Sequence, residues 1–403
     1  MNIRTAMVMA GGTGGHVFPG LAVAAALVER GWRVIWLGHP EGMEAGLVSR
    51  AGLPFEPLRF SALRGKGAFA LLRLPLNLLR AVTQARHTLR RVRPQIVLGM
   101  GGYVTVPGGA AARLLGIPLV LHEQNAIAGL ANRFLARFAD AVIEAFPGAF
   151  GRAGGGRVGS MLGLLAGPLA PKRLRLLGNP VRSELAALPA PAQRAAQRHG
   201  PLRVLVVGGS LGAKALNETV PAAMGMVLAA VGAQQMPQVV HQSGRAHLEA
   251  LQHAYAGAGV QARLVAFIDD MAAEYGAADL VICRAGAATV SELAVAGVAA
   301  ILVPYPHAVD DHQTMNAQWL ADAGGAWIAP QALLSAGDLA ARIVALARFT
   351  PAVPGACEAM AAQTETVPAG RAALVAMGAR ARALGLPDAA QRVADLIETL
   401  AQR

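Results

Sequence analysis

The stretch from Met9 to Pro19 carries four glycines, Gly11, Gly12, Gly14 and Gly15, and then His16. Glycines at this density let the backbone turn sharply and bring its N–H groups close to a ligand. A helix that starts there adds unpaired N–H groups and a partial positive charge, and the sum is a site for phosphate. A tight structural turn is the other reading of the same residues. His16 stands at the mouth of the loop, where an imidazole can take or give a proton near neutral pH, so it is the candidate general base. The loop is neither a dinucleotide fingerprint nor a Walker loop. The third glycine of the former is missing, no acid closes the strand Val34–Gly38, and no Gly-Lys-Ser/Thr follows.

Further along lie other groups able to do chemistry. Gly101-Gly102-Tyr103 is a second glycine turn, and His122-Glu123-Gln124-Asn125 is a polar cluster after an apolar strand. The cluster can face a ligand or cap the following helix. Gly178-Asn179-Pro180-Val181-Arg182 punctuates the chain. Gly208 to Lys214 repeats the glycine turn, and Ser210 lies inside it. Gly208–Gly212 also fits Gly-x-Ser-x-Gly, but the acid and histidine order of a hydrolase does not follow. In Ala285 to Glu292, Gly286 turns the chain into small residues whose N–H groups stay open to a diphosphate, and Glu292 can accept two ribose hydroxyls. Gln313 and Asn316 share one helical face. No Asp-x-Asp occurs, so a leaving diphosphate is expected to rest on helix N–H groups, with no protein-held metal and no cofactor.

These groups need a scaffold. Thr5–Met9 reads as a buried strand and Leu21–Arg30 as a helix closed by Gly31. Gln95–Leu98 and Pro118–Leu121 are further strands, the helix Ile127–Phe138 follows, and Ala141–Ala145 closes the first sheet. Gly148–Leu177 reads as a linker or inserted loop. Strands at Leu202–Val207, Gln238–His241, Leu264–Phe267, Leu280–Cys283 and Ala300–Val303 build the second half. Both halves open strand, glycine pair, helix. The pattern predicts an α/β chain of two doubly wound domains facing each other, residues 1–178 and 179–385, with a final helix over 386–403 that packs back on the first.

With 403 residues, 54% of them apolar and 15% charged, the chain suits folded domains rather than disorder. Two cysteines, Cys283 and Cys357, give neither a disulfide framework nor a cysteine zinc site, and the beginning shows no signal-peptide core, so a cytosolic setting is expected. The net charge is +12, and nine cations with no acid lie between Arg59 and Arg93, interleaved with Leu and Phe. Apolar side chains flanked by arginines suit an anionic bilayer surface, and the expected contacts are Leu63, Arg64, Lys66, Phe69, Leu72, Arg73, Leu76, Leu79 and Arg80. A solvated helix with a core-facing leucine stripe fits the same residues. Nucleic acid is disfavoured by the scarcity of aromatics.

Taken in order, Met9–Pro19, Gly101–Tyr103, His122–Asn125, Gly178–Arg182, Gly208–Lys214, Ala285–Glu292 and Pro306–Ala317 resemble glycosyltransferase family 28. These bacterial transferases add N-acetylglucosamine to undecaprenyl-pyrophosphoryl-N-acetylmuramoyl-pentapeptide, making lipid II from lipid I. The resemblance implies the GT-B fold, two Rossmann-like domains with a cleft between them. It implies UDP-N-acetylglucosamine as donor, lipid I as acceptor, and a peripheral position on the cytoplasmic face of the inner membrane beside other cell-wall and division proteins. Carried over by motif, the donor contacts are Thr13, Gly14, Gly15, Asn125, Arg182, Ser210, Ile268, Ala287, Ala288, Thr289, Val290, Ser291, Glu292 and Gln313. Ile268 meets uracil through its backbone, Glu292 the ribose, Ser210 with Ala287 and Ala288 the diphosphate, and Gln313 the sugar. The acceptor contacts are Gly102, Tyr103, His122 and Glu123, and the first two glycine loops suit its pyrophosphate. The stretches 152–176 and 351–386 are longer than the family pattern. A UDP-sugar 2-epimerase, a transferase with a soluble acceptor and a non-enzymatic membrane module are the competing readings.

Overall fold

The computed structural model describes residues 3–60, 73–151, 174–209, 212–308, 311–348 and 370–402. The chain divides into two compact units, Met1–Ser183 with Val309–His312 and Leu386–Arg403, and Glu184–Ala308 with Gln313–Gly385.

The first unit holds a seven-stranded parallel sheet in the order β3-β2-β1-β4-β5-β6-β7. The strands are β1 Thr5–Met9, β2 Arg33–Gly38, β3 Phe55–Pro57, β4 Ile96–Gly99, β5 Leu119–Glu123, β6 Ala141–Glu144 and β7 Leu174–Leu176. Side chains alternate across a strand, so each face of the sheet takes every second residue. Ala6 and Val8, with Val34, Trp36, Ile96 and Leu98, pack against α1 (Gly14–Glu29) and a C-terminal helix, Ala389–Ala401. Met7, Met9, Ile35, Leu37, Val97 and Leu121 pack on the other face against α2 (Leu74–Val92) and α3 (Thr105–Leu114). This two-sided burial makes the strands continuous apolar runs.

Four element boundaries differ from those expected. The first helix begins at Gly14, not Leu21, with Pro19 inside it. The Thr13 carbonyl accepts from both His16 N and Val17 N, so the first turn winds directly out of the glycines. His16 is therefore a first-turn residue. β5 runs on to Glu123, so His122 and Glu123 are strand residues rather than a cluster after the strand. Finally, β6 does not close the sheet, because Leu174–Leu176 pairs with it as an edge strand. Three residues with a central arginine are too short and too polar a signal to stand out, and edge strands favour that composition. The helix expected over Ile127–Phe138 is the shorter Leu130–Leu135.

The second unit holds a six-stranded parallel sheet in the order β10-β9-β8-β11-β12-β13. Its strands are β8 Arg203–Val207, β9 Gln238–Gln242, β10 Arg263–Val265, β11 Leu280–Cys283, β12 Ala299–Leu302 and β13 Ala326–Ile328. The last was not legible in the sequence. Val204, Val206, Ile282 and Ile301 form a core with α4 (Lys214–Val231) and with Leu339 and Ile343 of a later helix. Two further helices matter for the site, α5 (Met271–Ala277) and α6 (Ala287–Ala296).

The unit also buries charge. Asp279, 2% exposed at its side chain, meets Arg371 at 3.2 Å and Arg198 at 2.8 Å and accepts the Arg203 N–H at 2.9 Å. Arg371 also donates to the carbonyls of Arg198, Gly200 and Pro201. Every oxygen of this carboxylate is thus met by a donor, as a buried charge requires.

Candidate functional site

In each unit the polar residues gather at the carboxyl ends of the strands, where an open parallel sheet leaves its crevice. In the first unit the corner after β1 is pinned from below. Trp36 Nε1 donates to the Ala10 carbonyl at 3.1 Å, and Glu44, wholly buried, accepts the His39 N–H at 3.0 Å and reaches the Gly12 N–H at 3.5 Å. The corner after β4 sits directly on it. A Cβ at Gly102, where φ is +83°, would lie 2.1 Å from the Gly11 carbonyl oxygen, so no side chain fits there. The Tyr103 pKa is pushed up to about 12 by burial and then by the charge of Glu44. Glu44 carried no sequence signal.

His16 Nδ1 lies 3.0 Å from Gln124 Oε1. Gln124 Nε2 lies 2.8 Å from the Met100 carbonyl and 3.1 Å from His122 Nδ1, and His122 Nε2 lies 2.9 Å from the Gly178 carbonyl. His122 is fully buried and is held down at about 4 by desolvation, against its bond to Gly178 and with a further push from His16. Glu123, 2% exposed, accepts from Asn125 N at 3.0 Å, Asn125 Nδ2 at 3.2 Å, Gly129 N at 3.0 Å and Asn132 Nδ2 at 2.9 Å. Both were expected to touch the acceptor. Both are buried, and their hydrogen bonds hold Gln124, Asn125 and the loop beyond in place. Thr13 N-caps α1 in extended geometry and is exposed, and Gly14 and Gly15 follow half-buried. Arg182 lies over the Phe18 ring of α1 at 5.3 Å, beside the same corner.

In the second unit, Gly208, Gly209, Gly212 and Lys214 line a cavity of about 630 Å³ with Arg284, Gly286, Thr289, Tyr305, Gln313 and Gln331. That volume suits a small ligand. A Cβ at Gly212, where φ is +78°, would meet the Ser243 carbonyl at 2.1 Å, so this corner, like the first, closes glycine against backbone. Gly286 is the N-cap of α6, and Ala287 begins its first turn. Arg284 went unremarked in the sequence. It donates to Val303 O and Gln331 Oε1, lies over the Tyr305 ring at 5.4 Å, and has its pKa lowered by burial. Glu292 accepts the Tyr275 hydroxyl at 3.3 Å, which joins α6 to α5. Ile268 lies just before α5, whose first turn is capped by Asp270. Val290 and Ser291 are buried, and Ala288 and Thr289 are half-buried. Gln313 Oε1 accepts the Tyr305 N–H at 2.9 Å, and Asn316, fully buried, donates to Ala285 O. Ser210 lies outside the described residues.

Two corners built to offer backbone N–H groups, one on each sheet, match the sequence motifs in order, and the family models agree. Residues 6–144 match the glycosyltransferase family 28 N-terminal domain and residues 203–370 its C-terminal domain. The chain belongs to glycosyltransferase family 28.

It is 52% identical, over all of its length and 99% of the relative's, to the UDP-N-acetylglucosamine--N-acetylmuramyl-(pentapeptide) pyrophosphoryl-undecaprenol N-acetylglucosamine transferase of Bordetella parapertussis. The transferase of the same name from Burkholderia lata is 57% identical over 84% of this chain and 86% of its own. Among solved structures, Acinetobacter baumannii MurG superposes with a TM-score of 0.75 at 38% identity, covering 98% of this chain and 99% of that one. The two parallel-sheet units are those of a GT-B transferase, and the chain is a glycosyltransferase.

Of the residues expected at a membrane, Leu63, Arg64, Lys66, Phe69 and Leu72 lie outside the described ones. Arg73, Leu76, Leu79 and Arg80 are exposed around the start of α2, Leu76 at 50% and Leu79 at 63%. The core-facing stripe of this helix is Ala81, Ala85, Thr88 and Leu89, so these two leucines are not part of it. Leu114 is exposed at the end of α3, which packs on α2, and Phe134 and Phe138 are exposed on and just after the helix Leu130–Leu135, which packs on α3. Among the described residues no helix is long and apolar enough to cross a membrane, and no three His, Cys, Asp or Glu converge as a metal site would require.

Proposed function

We propose that the chain transfers N-acetylglucosamine from UDP-N-acetylglucosamine to the muramoyl 4-hydroxyl of undecaprenyl-pyrophosphoryl-N-acetylmuramoyl-pentapeptide, lipid I, forming lipid II. The observation that carries this reading is the full-length 52% identity to a transferase named for that donor and acceptor. The paired glycine corners are its physical counterpart.

In this reaction the 4-hydroxyl oxygen attacks the anomeric carbon of the donor as the bond to the diphosphate breaks. UDP leaves with the bonding electrons, and the hydroxyl proton passes to His16. One displacement turns an α-linked donor into a β-linked product. The N–H groups at the start of α6 and the corner after β8 stabilise the diphosphate as its charge grows, with no protein-held metal. Glu292 holds the ribose hydroxyls, Ile268 the uracil through its backbone, and Gln313 the sugar. The corner at Thr13–His16, with Gly102 and Tyr103, receives the acceptor's pyrophosphate. Leu76, Leu79, Arg73 and Arg80 meet an anionic membrane surface, since exposed leucines beside arginines gain from both apolar burial and headgroup charge.

Purified protein, labelled UDP-N-acetylglucosamine and a lipid I analogue form the test. A labelled disaccharide product supports the reading, and conversion of the nucleotide sugar without transfer overturns it. His16→Ala should lower kcat by roughly two to four powers of ten, and an unchanged rate would remove it as base.

A further inference from the structure

In the sequence Gln124 is one member of a polar cluster; in the fold it is the fully buried joint between two histidines. Its three partners determine one another. The Met100 oxygen is a carbonyl and only accepts, so the atom 2.8 Å from it must be the amide NH2 of Gln124. The Gly178 oxygen is also a carbonyl, so His122 Nε2, 2.9 Å away, carries a proton. A neutral imidazole has one N–H, which leaves His122 Nδ1 a lone pair that accepts the second hydrogen of the Gln124 amide at 3.1 Å. Burial holds His122 neutral down to about pH 4, so the direction of this chain does not reverse near neutral pH. With both amide hydrogens committed, Gln124 presents only its oxygen to His16. The partner atom, His16 Nδ1 at 3.0 Å, must then be the donor.

We infer that Gln124 is a positioning residue that holds neutral His16 as the Nδ1–H tautomer, so that the lone pair sits on Nε2. Two carbonyls, Met100 on Gln124 and Gly178 on His122, are the anchors that fix its sense. Among the described residues Nε2 has no hydrogen-bond partner, and the ring is half-buried. A base needs its lone pair on the side that meets the substrate hydroxyl, and the bond made by one ring nitrogen decides what the other carries. Without Gln124 the ring would populate both tautomers, and only the fraction with the lone pair on Nε2 would be competent.

This rests on the reading of His16 as base, and the two are separable by experiment. The full chain labelled with 15N-histidine is examined by two-bond proton–nitrogen correlation at pH 7.5, the His16 signals being assigned by their loss in His16→Gln. The inference requires Nδ1 at a protonated-nitrogen shift and Nε2 at an unprotonated one. Gln124→Leu should move both signals toward a tautomer mixture and lower kcat roughly three- to tenfold, less than His16→Ala, with the donor KM within twofold. Gln124→Glu keeps the shape and an acceptor for His16 but cannot donate to Met100 or His122, and it serves if the leucine variant does not fold. It leaves His122 Nδ1 without its donor and sets a carboxylate oxygen against His16 Nδ1, so it should also move the His16 nitrogen signals. An unprotonated Nδ1 in the unaltered chain, or His16 signals unmoved by both substitutions, overturns the inference. A shifted tautomer with unchanged kcat upholds the role of Gln124 and removes His16 as the base.

Discussion

Glu398 accepts the indole N–H of Trp32 at 3.0 Å across 366 positions of the chain. The same carboxylate meets Arg4 at 3.0 Å and Arg30 at 3.1 Å, while Asp395 meets Arg30 at 2.6 Å. These contacts rim the apolar seam in which Val393, Ala394 and Ile397 pack against α1 and the sheet. The Trp32 bond holds the Glu398 carboxyl below its ordinary range against desolvation, the next largest effect, and Arg30 and Arg4 add to the lowering.

A depressed carboxyl contributes stability that is present above its unfolded pKa and lost as pH falls through the folded one. Glu398→Gln should therefore cost about 1 kcal/mol at pH 7 once solvent screening is allowed for, and less at pH 3. Amide exchange should rise first in Ala389–Ala401. Unchanged exchange there would assign the docking to apolar packing alone.

Asp279 is the shared partner of Arg198 and Arg371, and the Arg371 side chain is 4% exposed. Removing the carboxylate leaves a buried guanidinium unpaired. Asp279→Ala is expected to destabilise the second unit by about 3 to 5 kcal/mol, measured by urea unfolding. A loss under 1 kcal/mol would mean that the backbone carbonyls around Arg371 suffice.

His122 and His241 are buried and held neutral down to about 4 and about 3, each by desolvation first. Their folded pKa values lie below the ordinary 6.5, so the unfolded chain binds more protons as pH falls from 6.5, and stability falls with it. His122 alone accounts for roughly 3 kcal/mol between pH 6.5 and 4. NMR titration should find both rings neutral at pH 5.5, and a midpoint near 6.5 for either would contradict its burial.

Glu292 carries the Tyr275 hydroxyl on its carboxylate. If it also binds the donor ribose, Glu292→Ala should raise the donor KM by roughly ten- to a hundredfold, the worth of a charged hydrogen bond. Tyr275→Phe should raise it only severalfold, because the carboxylate remains. Steady-state kinetics with a water-soluble acceptor separates the two.

Leu76 and Leu79 stand exposed at the start of α2. Changing both to Glu should reduce sedimentation with anionic vesicles by more than tenfold, since each apolar side chain contributes about 1.5 to 3 kcal/mol on burial. Turnover of a water-soluble acceptor should be unaffected. Equal binding by the variant would mean that the surface meeting lipid lies elsewhere.

Much of this was legible in residue order. β1 and β11 have the bounds expected of them, and Gly286 caps α6 where the turn was read. An apolar run ending in glycines is a local signal, because the φ values that only glycine tolerates lie within a few residues of the strand they end. Element ends were less legible. Nothing local distinguishes His122 and Glu123 as the last residues of a strand from the first of a loop, since what settles it is their pairing with Ile143 and Glu144.

The sequence by itself determined the corners: where strands stop, where helices offer N–H groups, and hence the class of ligand the chain can hold. The tertiary structure decided which polar residues stand behind those corners. Glu44, Gln124, Glu398 and Arg371 draw their roles from partners that are mostly far away in the chain. A hydrogen bond between distant residues leaves no period and no spacing, and burial alone turns such a bond from a weak surface contact into a fixed direction for a proton.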